Sequence, residues 1–132
     1  MPAVSWVAVI VANIAGFMLG AVWYGPLFGK AWMREVGYTE EDLKRDFNPG
    51  KAYGLTFVYG LIAAYVMGAF LGPNPDPGAA AALGAAAGLG WVGTSFATNY
   101  QFEKKSNRLL YINAGYHTVQ FTLFGLVFGL LG

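Results

Sequence analysis

The chain has no cysteine, a single histidine among 132 residues, and only 11% charged residues. Without cysteine there is no disulfide, no thiol nucleophile and no thiolate metal ligand. One histidine cannot supply the three or four ligands that a stable metal site needs, so no bound metal is expected. A soluble domain of this length needs far more charge to cover its surface. The composition therefore indicates a protein whose solvent is a lipid bilayer.

Four long apolar segments support this interpretation, because none of them contains Asp, Glu, Lys or Arg. Each reaches the roughly 20 residues that a helix needs to cross about 30 Å of hydrocarbon. The prediction is an all-α fold, a four-helix transmembrane bundle that forms one integral membrane domain over residues 1–132. The predicted spans are 4–24, 52–71, 78–100 and 109–131.

Basic residues are confined to two of the connecting segments, and the loop "GPNPDPG" has none. Short basic loops stay in the cytoplasm, so both ends of the chain are predicted to be periplasmic. A strong orientation signal also predicts that any homo-oligomer is parallel. A membrane surface explains these charges, and no nucleic-acid partner is expected. The basic residues are Lys30, Arg34, Lys44, Arg45, Lys51, Lys104, Lys105 and Arg108.

The predicted cytoplasmic loop, residues 25–51, carries the signals of two short interfacial or cytoplasmic helices. Apolar residues recur at near-helical spacing before Gly37, which suits a helix in the headgroup region. In "YTEEDLKRD", Thr39 is the predicted N-cap and Asp42 follows three residues later, as in a capping box. Asp76 and Pro77 similarly predict the start of the third long helix. Short connections predict that the second, third and fourth spans are antiparallel neighbours.

Small residues repeat every four positions in all four spans, which places each set on one helical face. Such faces let helix backbones approach closely where no hydrophobic effect separates helix from lipid. They are predicted to be packing surfaces, either within the bundle or between copies of the chain. The glycines concerned are Gly16, Gly20, Gly60, Gly68, Gly72, Gly84, Gly88, Gly125 and Gly129.

Polar residues form a stripe along half of the fourth span. Asn113, His117 and Gln120 fall within about 60° on a helical wheel, with Tyr116 at the edge. Exposure to lipid is costly, so the stripe should face the bundle interior or a partner chain. His117 lies about 14 Å and Asn13 about 17 Å from the cytoplasmic surface, so the two are expected to meet. The predicted ligand-binding residues are Asn13, Thr98, Asn99, Asn113, Tyr116, His117 and Gln120.

Several functions fit this polar cluster. One is the binding or passage of a small neutral solute or a proton, since strongly charged cargo would need buried carboxylates or arginines. Another is a structural or accessory subunit of a larger membrane complex, in which the cluster only makes hydrogen bonds between helices. In that setting, His117 could be an axial ligand of haem or chlorophyll. No cofactor is otherwise expected, and no set of catalytic groups is evident, so enzyme activity is not predicted.

Three stretches, "WYGPLFGKAW", "ATNYQFEKKS" and "INAGYH", together resemble the DUF1761 family of bacterial four-span membrane proteins of unknown function. The resemblance covers nearly the whole chain and implies a bacterial inner-membrane location, but no activity. It singles out Asn99, Tyr100, Asn113, Tyr116 and His117 within or near the spans. Glu103, beside Lys104 and Lys105, is either an interfacial ion-pair partner or a gate over the polar cluster. The predicted interfacial motif consists of Trp23, Tyr24, Pro26, Trp32 and Glu103.

Overall fold

The computed structural model describes residues 4–132, and these residues are helical with no β-strand. Four of the helical stretches are long, and two short helices lie between the first and second of them. The helices are α1 (Trp6–Val22), α2 (Gly29–Val36), α3 (Glu40–Lys44), α4 (Pro49–Leu71), α5 (Pro77–Ala87), α6 (Thr94–Glu103) and α7 (Asn107–Leu131), with π-helical segments at Trp23–Leu27 and Gly88–Gly93.

Each long stretch is a continuous helix that is long and apolar enough to cross a membrane. The most apolar windows of the four have mean hydropathies of 2.0, 1.8, 1.3 and 1.3 in chain order. The four predicted spans are therefore confirmed as helices. The last three helices extend past the predicted boundaries, because charged residues such as Lys51, Glu103 and Arg108 continue them. The first begins at Trp6, inside its predicted start, and continues to Leu27. The four continuous stretches are Trp6–Leu27, Pro49–Leu71, Pro77–Glu103 and Asn107–Leu131.

Helix starts follow the capping signals in the sequence. The Asp76 carboxylate accepts a hydrogen bond from Ala79 N at 2.9 Å, and Pro77 takes the first position of α5. The capping box of α3 is also confirmed: Thr39 Oγ1 accepts from Asp42 N at 3.1 Å, and Asp42 Oδ2 accepts from Thr39 N at 2.9 Å. Because the Thr39 backbone N–H donates to the carboxylate, with a further hydrogen bond from its side chain, the pKa of Asp42 lies below its usual value.

Helix α7 lies at the centre of the fold and contacts α1, α4, α5 and α6. By contrast, α4 and α5 follow each other along the chain but are not closely packed, contrary to the prediction that they are neighbours. A short loop brings only the adjoining helix ends together, while both helices pack on α7. Between α4 and α5 lies an apolar groove of about 610 Å³, across which the rings of Phe70 and Trp91 are 6.5 Å apart.

Glycine contacts explain why α5 lies so close to α7. A Cβ atom added to Gly84 would be 1.9 Å from Phe121 O, and one added to Gly125 would be 2.0 Å from Ala80 O. Neither position has room for any side chain, since backbone from the opposite helix occupies the space. The glycine stripes of these two helices are therefore packing surfaces between the spans of one chain.

The two ends of the helix assembly differ. We call the end that carries α2, α3 and the 104–106 loop the basic end, and the end that carries the 72–76 loop the opposite end. The core lies toward the opposite end and contains Val9, Phe124 and Phe128, which are 0%, 0% and 2% exposed. Polar side chains of α7 lie toward the basic end. This distribution agrees with the predicted polar stripe along half of the fourth span.

Candidate functional site

Asn113 is the centre of a hydrogen-bonded network at the basic end. Its Oδ1 accepts a hydrogen bond from the Tyr24 hydroxyl at 2.7 Å, and its Nδ2 donates to the Tyr100 hydroxyl at 2.7 Å. One amide thereby connects the π-helical end of α1 with α6 and α7. A partly buried amide that has partners for both of its polar atoms holds its neighbours in a defined arrangement.

His117 lies one turn further along α7, in a pocket of aromatic rings. Its ring stacks on Phe96, with ring centroids 5.4 Å apart and an angle of 16° between the ring planes. It also packs edge to face with Tyr116, with ring centroids 4.9 Å apart. Nδ1 lies 2.7 Å from Gln120 Oε1. Because an amide oxygen only accepts, this contact corresponds to the neutral tautomer with the proton on Nδ1, in which Nε2 keeps an acceptor lone pair. Among residues 4–132, Nε2 has no hydrogen-bond partner.

Asn113 and His117 line an open pocket of about 730 Å³, which we call the His117 pocket. Asn113 and His117 come from α7, while aromatic side chains form much of the remaining wall. The exposed side chains of Lys30 and Glu40 lie on the side formed by α2 and α3. The aromatic residues of the wall are Tyr24, Trp32 and Phe96.

Hydrogen bonds hold the side of the pocket formed by the first π-helical segment and α2 against α7. Trp23 Nε1 donates to Ile112 O at 2.9 Å, which anchors the π-helical segment that carries Tyr24. The Ser106 hydroxyl donates to the Glu35 carboxylate, which connects α2 to the start of α7. The same hydroxyl oxygen caps α7 by accepting from Leu109 N at 3.1 Å. The pocket therefore has walls that are fixed at several points.

Asn13 lies at another interface, so the expected contact with His117 is not formed. The side chain is 3% exposed, and its Nδ2 donates to Phe57 O on α4 at 2.9 Å. A Cβ atom on Gly60 would lie 1.9 Å from Asn13 Oδ1, so the missing side chain of this glycine makes room for the amide. Depth along the helix was a sound basis for placing Asn13 near mid-span, but it did not show which neighbour the side chain faces.

Thr98 and Asn99 are exposed residues of α6 and lie outside the network around Asn113. The Thr98 hydroxyl donates to Thr94 O at 2.9 Å within its own helix. The side of α6 that faces α7 carries Phe96 and Tyr100 instead. These two residues were absent from the predicted ligand-binding set, although their spacing of four places them on one helical face.

The remaining motif residues divide between the pocket and the exposed surface. Tyr116 donates its hydroxyl hydrogen to Gly16 O at 3.0 Å, and Trp32 lies with its ring 6.4 Å from that of Tyr24. Pro26 is exposed within the π-helical segment, and Glu103 is exposed at the end of α6. In the described part of the chain, the one ion pair joins Arg45 to Asp42 at 3.8 Å, so Glu103 forms none.

No group of three His, Asp or Glu side chains converges within residues 4–132 in a way that could hold a metal ion. The candidate site is therefore a polar pocket with aromatic walls and one available imidazole acceptor. Four apolar helices with such a pocket at one end have the construction of a multipass membrane protein.

The comparison with protein families agrees with this construction. The model of the family described as "Protein of unknown function (DUF1761)" matches residues 7–129, and the chain belongs to this family. A search of curated proteins gave no significant match. A search of solved structures gave none either. The match confirms the family that the three sequence stretches resemble.

Proposed function

We propose that this protein binds small neutral solutes in the His117 pocket and passes them across the bacterial inner membrane. The observation that carries the proposal is the unpartnered Nε2 of His117 in a pocket with aromatic walls. Nε2 is not fully buried, so this acceptor is accessible from the pocket and can accept a hydrogen bond from a ligand that donates one.

The surroundings of His117 define the class of solute. Apolar and aromatic walls favour a ligand with an apolar body, and a few placed polar groups fix its orientation. The two charged residues of the pocket, Lys30 and Glu40, are both exposed. The best-matched ligand is a neutral molecule with one hydrogen-bond donor, such as a small alcohol, phenol or amide.

Charge distribution supports a cytoplasmic opening of the pocket. All Lys and Arg residues lie in the segments that form the basic end, and such segments remain cytoplasmic in bacterial membrane proteins. The proposal accordingly includes a periplasmic location for both ends of the chain. A narrower form of the proposal is that the pocket passes a proton by way of His117. Imidazole is suited to this because it is the one unperturbed side chain that titrates near neutral pH.

A second candidate function, an accessory subunit, is favoured by the apolar groove between α4 and α5. The groove exposes apolar side chains such as Trp91 and Phe70, which are 69% and 76% exposed. A helix of a second, parallel copy or of a partner membrane subunit would fill such a groove. In this case the protein would be recovered as part of a defined complex.

Thermal unfolding of the purified protein in mild detergent, with phenol or its methyl ether anisole added, tests the solute proposal. Anisole has the same ring but no hydrogen-bond donor. We expect phenol to raise the melting temperature and anisole to raise it less, since a ligand that binds only the folded state increases apparent stability. Equal effects of the two compounds would contradict a donor-selective site.

The matched variants of this experiment are His117→Phe and Thr122→Val. His117→Phe keeps an aromatic ring against Phe96 but removes the Nε2 acceptor, so the phenol effect should disappear. Thr122 also lies on α7, but its hydroxyl bonds within the helix to Thr118 O at 2.7 Å. Thr122→Val should therefore keep the phenol effect. If His117→Phe also keeps it, the ligand is bound elsewhere.

A further inference from the structure

A second pocket, of about 600 Å³, lies between α1 and α4 near the basic end. We call it the α1–α4 pocket. It is lined by Phe17 and Ala21 of α1, by residues at the start of α4 and by Tyr116 of α7. Tyr24 and Gly25 line this pocket and also line the His117 pocket. The two cavities are therefore adjacent, and the same residues form part of the wall of each.

The ring of Tyr24 stands between the two pockets. Its centroid is 6.4 Å from that of Trp32, which lines the His117 pocket, and 5.4 Å from that of Tyr116, which lines the α1–α4 pocket. The Tyr24 hydroxyl is held by one hydrogen bond, to Asn113 Oδ1. Next to it, a Cβ atom on Gly25 would meet no atom within 4 Å, so open space adjoins the Tyr24 position.

The α1–α4 pocket offers the same chemistry as the His117 pocket. The Thr56 hydroxyl donates to Ala52 O at 2.7 Å and the Tyr116 hydroxyl donates to Gly16 O at 3.0 Å. With its hydrogen used in this way, each hydroxyl oxygen keeps lone pairs that accept hydrogen bonds. Phe17 adds an apolar surface. Both pockets therefore suit a neutral ligand that has an apolar body and a hydrogen-bond donor.

A direct route between the two ends of the assembly is closed, because Val9, Phe124 and Phe128 fill the interior toward the opposite end. The α1–α4 pocket, in contrast, is partly open and lies between two spans, with the exposed residues Tyr53 and Thr56 in its wall. A solute with an apolar body that leaves the His117 pocket by this side would reach the bilayer without crossing the packed core.

We propose that the α1–α4 pocket is a second compartment for the same class of solute and that Tyr24 is the movable partition between the compartments. This inference rests on the proposed function and adds the route that the solute takes. When the Tyr24 ring swings away from Asn113, the two cavities join. A neutral hydrogen-bond donor then moves sideways between the cytoplasmic pocket and the space between α1 and α4.

Cysteine labelling tests the partition cleanly, because the natural chain has no cysteine. Met33→Cys lines the His117 pocket only, and Ala21→Cys lines the α1–α4 pocket only. The probe is sulfonatoethyl methanethiosulfonate, a charged thiol reagent that stays in water, added to membrane vesicles with the basic end outward. We expect rapid labelling of Met33→Cys and slow labelling of Ala21→Cys while Tyr24 is present.

Tyr24→Phe and Tyr24→Ala open the partition to different extents. Tyr24→Phe removes the hydrogen bond to Asn113 and should speed labelling of Ala21→Cys about fivefold, the population shift expected for one hydrogen bond of ordinary strength. Tyr24→Ala removes the ring and should speed it further. The control is Tyr100→Phe, which removes the other hydroxyl at Asn113 but does not line either pocket.

Unchanged labelling of Ala21→Cys in both Tyr24 variants, beside rapid labelling of Met33→Cys, would overturn the partition alone. The same acceleration in Tyr100→Phe would also overturn it, since a general loosening of the Asn113 network would then explain the effect. Absence of labelling at Met33→Cys would show that water does not reach the His117 pocket and would overturn the proposed function as well. These outcomes separate the two proposals.

Discussion

At the residue scale, two asparagines have different structural tasks. Asn113 joins three elements beside the His117 pocket, with both of its polar side-chain atoms hydrogen bonded. Asn13 joins only two helices, through its hydrogen bond to Phe57 O above Gly60. Because a buried amide with a protein partner stabilises helix association, we assign Asn13 a structural role between α1 and α4.

Asn13→Ala should lower the free energy of unfolding by about 1 to 2 kcal/mol, because it removes an interhelical hydrogen bond and leaves a small cavity. The control is Ile14→Ala, since Ile14 is 45% exposed and should contribute little. Denaturant titration in detergent micelles measures both. The NMR signal of the His117 ring should be unchanged in Asn13→Ala. A shifted ring signal would restore the contact between Asn13 and His117 that the sequence predicts.

Sequence reasoning identified part of the site at this scale. His117, Asn113, Gln120 and Tyr116 share a helical stripe, and periodicity is enough to find such a set. The partners of that stripe were harder to predict. No sequence pattern distinguishes Tyr100 from its neighbour Asn99 as a site residue. Only the packing of α6 against α7 decides which of the two faces the site.

At the element scale, the two π-helical segments explain why helical periodicity was a limited guide. A π-turn adds one residue to a helix and rotates everything that follows around the axis. Trp23–Leu27, which contains the pocket residue Tyr24, has this conformation. So does Gly88–Gly93, which precedes Phe96. The first contains Pro26, which cannot donate a regular helical hydrogen bond. Neither segment has a sequence signature that predicts π rather than α geometry.

The close packing of helices at glycine residues also belongs to the element scale. Two alanine variants test it. Gly84→Ala should destabilise the protein by about 2 kcal/mol or more, because its Cβ would overlap Phe121 O on the facing helix. Gly54→Ala is the control, since a Cβ there meets no atom within 4 Å and alanine favours a helix. Thermal unfolding compares the two variants. Equal melting temperatures would show that α5 and α7 tolerate a wider spacing.

At the scale of the whole molecule, the asymmetry between the two ends combines charge with packing. The end that carries every Lys and Arg also carries the polar pocket, whereas the core residues lie toward the other end. The charge bias, the four spans and the capped helix starts could be predicted because each follows from a local pattern in the sequence. The separation of α4 from α5 could not, because it depends on how each fits against α7.

Reporter fusions test the orientation of the molecule. A reporter at the C-terminus should be active in the periplasm, and one inserted beside Lys44 should be active in the cytoplasm, because basic loops are retained there. Replacing Lys104, Lys105 and Arg108 by Gln should reduce this preference, because these residues carry the signal of the second basic loop. A cytoplasmic C-terminus in the unaltered protein would refute the predicted number of spans or their direction.

The central position of α7 has a consequence for biogenesis. Among the four spans, the one that contacts all the others is the last to emerge from the ribosome. Until it arrives, α5 has no partner for its glycine face, and α1 and α4 have only each other. Before α7 is made, the α1–α4 contact is therefore the main part of the packing between spans that can form. A chain that stops after Glu103 would lack Phe124 and Phe128, two residues of the buried core.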